Sequence, residues 1–80
     1  MTLKPMVTEK AVMMIEAQNI LTFRTEMKRT KTEIKNEVEE LFEVKVERVK
    51  SLIRGNRKYA YVKLKKEFPA IDIATKLGLI

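Results

Sequence analysis

The spacing of apolar and polar positions changes along the chain, and each change predicts an element. From Thr30 to Phe42 the apolar residues Ile34, Val38, Leu41 and Phe42 fall at i, i+4, i+7 and i+8, the stripe of an amphipathic helix. Thr30 and Glu33 open it as a capping box, in which hydroxyl and carboxylate each satisfy an otherwise orphaned N–H. Glu37, Glu39, Glu40 and Glu43 then lie mostly on the exposed sides. A shorter helix is predicted over roughly Thr8 to Ala17, with Thr8 as N-cap, Ala11, Val12 and Ile15 facing inward, and Asn19 as the stop. After Pro69, Ile71, Ile73, Ala74 and Leu77 mark a third helix over Ala70 to Leu77, ended by Gly78 and followed by a Leu79-Ile80 tail.

Elsewhere the period is two. Ile20 to Thr25 places Leu21 and Phe23 on one face and Thr22 and Arg24 on the other, and Val44 and Val46 alternate with Lys45 and Glu47. Val49 breaks that phase, so a bulge near Glu47 and Arg48 is needed for it to point inward. Tyr59 to Lys65 alternates most cleanly, with Ala60, Val62 and Leu64 inward and Tyr59, Tyr61, Lys63 and Lys65 outward. The turn between these strands, Arg54 to Lys58, contains Gly55-Asn56, residues that tolerate positive φ.

The resulting order is helix-strand-helix-strand-strand-helix, an α+β pattern in a single domain over residues 1–80. A strand-helix-strand crossover sets its two strands parallel, and the hairpin's return strand most simply slots between them. The expected architecture is a small split β-α-β antiparallel sheet of three or four strands, with helices covering one face.

Composition narrows the function. With no His, Cys or Trp in 80 residues, zinc sites, thiol nucleophiles, disulfides and imidazole bases are absent, and no cofactor is expected. Glu47, Glu67 and Asp72 show no partner at catalytic spacing, so the reading is a non-enzyme. The longest apolar run, Ala11 to Ile15, is far short of a membrane span, so a soluble, cytoplasmic protein without membrane insertion is expected. Met13, Met14 and Met27 read as core or gap-filling residues.

Charge is unevenly placed. Seventeen Lys+Arg oppose eleven Asp+Glu for a net +6, yet Thr30 to Glu43 holds two bases and five acids, a balance of −3 that leaves +9 for the rest. Every charged residue from Arg48 to Lys66 is basic: Arg48, Lys50, Arg54, Arg57, Lys58, Lys63, Lys65 and Lys66, with Tyr59 and Tyr61 among them. Cations that neutralise phosphates and rings that offer π-faces are what a polyanion with stackable bases requires. A lysine-rich edge hairpin protected from aggregation is the plainer reading of a basic run, but the missing acids favour nucleic acid.

Lys28, Arg29, Lys31 and Lys35 form a second basic cluster around the start of the capped helix. Cations there oppose the helix dipole, and a phosphate would relieve the opposition; a solvated i,i+4 pair of Lys31 and Lys35 explains them equally well. The segment Arg57-Lys58-Tyr59-Ala60-Tyr61-Val62-Lys63-Leu64 also matches six of eight positions of the RNA-recognition-motif signature. The departures are Lys58 for glycine and Leu64 for an aromatic, and the element order differs. A free RNA-binding adaptor of that type is therefore the second reading. A purely protein-binding module is a third, which leaves the acid-free stretch unused.

Five blocks carry a broader resemblance: Pro5-Met6-Val7-Thr8-Glu9-Lys10-Ala11, Thr30 to Lys35, Val38 to Val46, Val49-Lys50-Ser51-Leu52, and Lys58 to Leu64. In this order and spacing they resemble the universal large-subunit ribosomal protein L twenty-three family over nearly the whole chain. That resemblance implies a structural, rRNA-binding protein beside the exit of the nascent-polypeptide tunnel, among neighbouring large-subunit proteins, with the split α+β fold. It implies rRNA contacts for Lys10, Lys31 and Lys35 and for the hairpin bases Arg54, Arg57, Lys58 and Lys63 with Tyr59 or Tyr61. It also implies that Val7, Thr8, Glu9 and Glu43 receive targeting factors such as the signal recognition particle or a ribosome-bound chaperone. Many members carry a long basic extension between the last two strands, where this chain has only Arg54-Gly55-Asn56-Arg57, as in the short, archaeal-like form.

Overall fold

The computed structural model describes residues 3–78, and the Leu79-Ile80 tail lies outside the described residues. The period changes become α1 (Glu9–Gln18), β2 (Ile20–Thr25), α2 (Lys31–Phe42), β3 (Val46–Arg54), β4 (Arg57–Leu64) and α3 (Ala70–Lys76), preceded by a short strand β1 (Lys4–Pro5) that no alternation announces. The sheet order is β1-β2-β4-β3, and every pairing is antiparallel. Because β2 and β3 both run against β4, they are parallel to each other with β4 between them, the split arrangement predicted from the crossover.

Side-chain oxygens open the three helices, and residues in the left-handed region close α1 and α2. Thr8 Oγ1 accepts from the Ala11 N–H at 3.1 Å and starts α1. Asn19 stops it in the left-handed region at φ 58°, a conformation that asparagine tolerates better than most residues. The Asn19 amide then reaches across the fold: Nδ2 donates toward the carbonyls of Leu64, Lys65 and Phe68, while Oδ1 accepts from the Ala70 N–H at 2.6 Å. Pro69 offers no side-chain cap to α3, so Asn19 supplies it.

At α2, Thr30 Oγ1 accepts from the Glu33 N–H at 3.2 Å as predicted. The Glu33 carboxylate, however, accepts a hydrogen bond from the Thr30 hydroxyl rather than from the backbone N–H, and its other oxygen lies 3.8 Å from Arg29 Nε. The packed arc of α2 centres on Val38, between Ile34 and Phe42. Leu41 sits on its flank, 50% exposed, instead of joining the core. Met13 and Met27 are likewise exposed rather than core residues, while Met14 is half-buried.

The register of β3 carries the predicted irregularity. Val46 pairs with Leu64 and Arg48 with Lys63, so Glu47 is extra at the bulge. The slip turns Val49 toward the helices opposite Val62 and sends Arg48, Lys50 and Leu52 to the other face. The β3–β4 hairpin closes with Gly55 at φ 63°, glycine first in a two-residue loop. On the covered face Leu21, Phe23, Ala60, Val62, Leu64 and Val46 are at most 2% exposed beneath Ile15, Ile34, Val38 and Ile73. Phe23 stacks on Phe42 of α2 with ring centroids 6.4 Å apart, within the range favoured by aromatic pairs.

Candidate nucleic-acid interface

α2 and α3 cover one face of the sheet. The opposite face is more open but is bordered by α1, whose Lys10, Met14 and Gln18 line concavities with strand residues of that face, so the expected grouping of all helices on one face does not hold. Alternation along β4 assigns Tyr59, Tyr61 and Lys63 to that open face, and the pairing fixes their neighbours. Three rows run across the strands: Arg24, Tyr59 and Leu52; Thr22, Tyr61 and Lys50; Ile20, Lys63 and Arg48. Both tyrosines are half-buried. Lys4 pairs opposite Arg24 and extends the first row onto β1. No acidic residue occupies these rows, although Glu47 at the bulge and Glu16 of α1 line a concavity with Lys63 at their end.

The bases of the hairpin thus separate into different settings. Arg54 and Arg57 face each other, exposed, at its closed end. Lys58 occupies the covered side of β4, where it pairs between Thr25 and Ile53 and is half-buried. Its Nζ donates to the Arg29 carbonyl, so this cation tethers the loop between β2 and α2. Arg29 is also committed internally. Its guanidinium pairs with Glu37 and approaches Glu33, with 19% of the side chain exposed.

The second basic cluster is therefore reduced to Lys28, Lys31 and Lys35, all exposed. They surround α2, which rests on the covered side, and the first turn of that helix is already occupied by Thr30, Glu33 and Arg29. The fold does not bring these lysines onto the same face as Tyr59 and Tyr61. Nor are all the acids of α2 free in solvent: Glu37 pairs with Arg29, and Glu39 Oε2 accepts from the Val46 N–H at 2.9 Å. Glu40 and Glu43 are exposed.

Lys4 and Arg24 of the open face lie outside the basic runs of the sequence, whereas Arg48 and Lys50 belong to the acid-free run from Arg48 to Lys66. Arg24 was visible as an outward position of β2, and the bulge required by Val49 implied the placement of Arg48 and Lys50. For Lys4 there was no signal, since β1 has only two residues, one of them proline. Lys10 does join this surface, lining a shallow concavity with Arg54, Tyr59 and Tyr61.

Val7, Thr8 and Glu9 are exposed at the start of α1, beside the β1–β2 side of the sheet, where Met6 bonds to Thr22. Glu43 leads from α2 into β3, the opposite edge, in the left-handed region at φ 55°. The four expected docking residues thus belong to two separate places. Among the described residues, no helix is long and apolar enough to cross a membrane.

A split antiparallel sheet with three helices and a short hairpin is the α+β architecture implied by the five sequence blocks. The family model described as ribosomal protein L23 matches residues 1–71, and the chain belongs to this family of large-subunit ribosomal proteins.

Proposed function

We propose that this protein binds large-subunit rRNA through the open face of its sheet and the closed end of the hairpin, near the polypeptide exit tunnel. The observation that carries the reading is the cross-strand register. It sets Arg24, Arg48, Lys50 and Lys63 around two tyrosines without an intervening acid. Cations in such an array release counterions on meeting phosphates, while the rings add sequence-tolerant contact with unpaired bases. The short turn at Gly55-Asn56 gives the hairpin no long arm, so contact is confined to the rRNA beside the domain.

The test is binding to large-subunit rRNA as a function of salt. Replacing Arg24, Lys50 and Lys63 together by Gln lowers the slope by roughly 0.7–0.9 per lost phosphate contact. An unchanged slope removes the open face from consideration. Sedimentation separates this reading from a free RNA-binding adaptor, since a subunit constituent remains with large subunits at high salt.

Docking of targeting factors is the second part of the proposal. Val7, 62% exposed, and Glu9 offer an apolar and acidic contact on one side, and Glu43 a separate acidic contact on the other. Glu9→Ala reduces factor recruitment to assembled subunits without altering rRNA affinity; loss of assembly instead would refute this division.

A further inference from the structure

The open face is not flat. Between the first half of α1 and the strands β2, β4 and β3 lies a concavity of about 180 Å3. Tyr59 and Tyr61 line it from successive outward positions of β4, and Met14 and Leu52 supply apolar surface from α1 and β3. The charged residues lining it are Lys10 and Arg54, both cationic. Thr22, beside Tyr61, carries a buried hydroxyl with no hydrogen-bond partner.

This lining differs from the rest of the open face. A phosphate alone is held by cations and N–H donors, whereas here Lys10, Arg54 and two threonines share the lining with two rings, two thioethers and aliphatic groups. Leu52 is 40% exposed and is not among the core residues, so its place on the outer face is not required by the core. An apolar site with aromatic walls and a cation on either side matches the demands of a flat, apolar-faced group that enters on an anionic chain.

We propose that the concavity seats one unstacked base of the bound rRNA. The base lies against Tyr59 and Tyr61, and Lys10 and Arg54, on different elements, take the phosphates to either side. This inference rests on the reading of the open face as an RNA surface and adds to it the form of the contact. It separates the face into a seat for a base and, around Lys50, Lys63 and Arg48, a track for phosphates. Duplex RNA does not offer such a group, so the bound segment is a loop, bulge or unpaired junction.

The chain has two Tyr and no Trp, so its intrinsic fluorescence comes from these two rings alone. The full chain is titrated with short single-stranded oligo(A) and with an abasic strand of equal length. Oligo(A) binds more tightly and quenches the tyrosine emission; the abasic strand binds through phosphates without quenching. Tyr61→Leu lowers oligo(A) affinity by about five- to 150-fold and leaves abasic binding unchanged, and Tyr61→Phe, which keeps the ring, restores it. Equal affinity for the two strands, or a Tyr61→Leu protein that binds oligo(A) like the parent, overturns the base seat and leaves the phosphate reading standing. Failure of both strands to bind overturns the two together.

Discussion

The two faces of β4 are built from the same eight residues and have opposite properties. Ala60, Val62 and Leu64 are at most 1% exposed under the helices, whereas Tyr59, Tyr61 and Lys63 remain half-buried on the open side. The covered face obtains its stability from apolar area removed from water, about 25 cal/mol per Å2. The open face contributes less of that kind, because its rings are only half-buried and its cations stay partly in solvent. A domain of this size has little stability to spare, so the division teaches which side chains it can change without unfolding.

The covered face is most sensitive at Phe23. It is completely buried, lies opposite Ala60 and stacks on Phe42. Phe23→Ala is expected to cost about 3–5 kcal/mol, enough to unfold much of the population, read by chemical denaturation followed by circular dichroism. A loss below about 1 kcal/mol would show that the helices do not close this face. Lys58 and Lys63 sharpen the contrast at smaller magnitude. Lys58→Gln removes the charged donor to the Arg29 carbonyl and costs about 1 kcal/mol, with the salt dependence of rRNA binding unchanged. Lys63→Gln behaves in reverse, changing stability by less than about 0.5 kcal/mol and the salt slope by nearly one. If the two variants give the same pair of results, the faces are not functionally distinct.

Much of this was legible before folding was considered. The three helices, the alternation of β2 and β4 and the glycine turn follow from local chemistry, and the phase slip at Val49 announced the bulge. Lys58 illustrates information present but overridden by composition. It shares the parity of Ala60, Val62 and Leu64, which assigns it to the covered side, yet as one base in an acid-free run it reads as a phosphate ligand. Arg29 is different in kind. Its pairing with Glu37 depends on the path of the chain into α2, and no spacing in an unfolded loop specifies it. Leu41 follows the helical stripe but lies beyond the arc that α2 packs, because a stripe marks candidates while the neighbouring elements decide how wide a strip they cover.

Sequence alone determined six of the seven elements, all but β1, together with the split topology and the two alternating faces of β4, because periodicity, caps and turn residues act over a few neighbouring positions. Tertiary structure alone decided which cations bond within the fold and which share a face with Tyr59 and Tyr61. Arg29 and Lys58 are withdrawn by contacts within the fold, while Lys4, Arg24, Arg48 and Lys50 are gathered beside Tyr59 and Tyr61 by strand register. The physical reason is that charge is a property of a residue, but a charged surface is a property of several chain segments brought side by side.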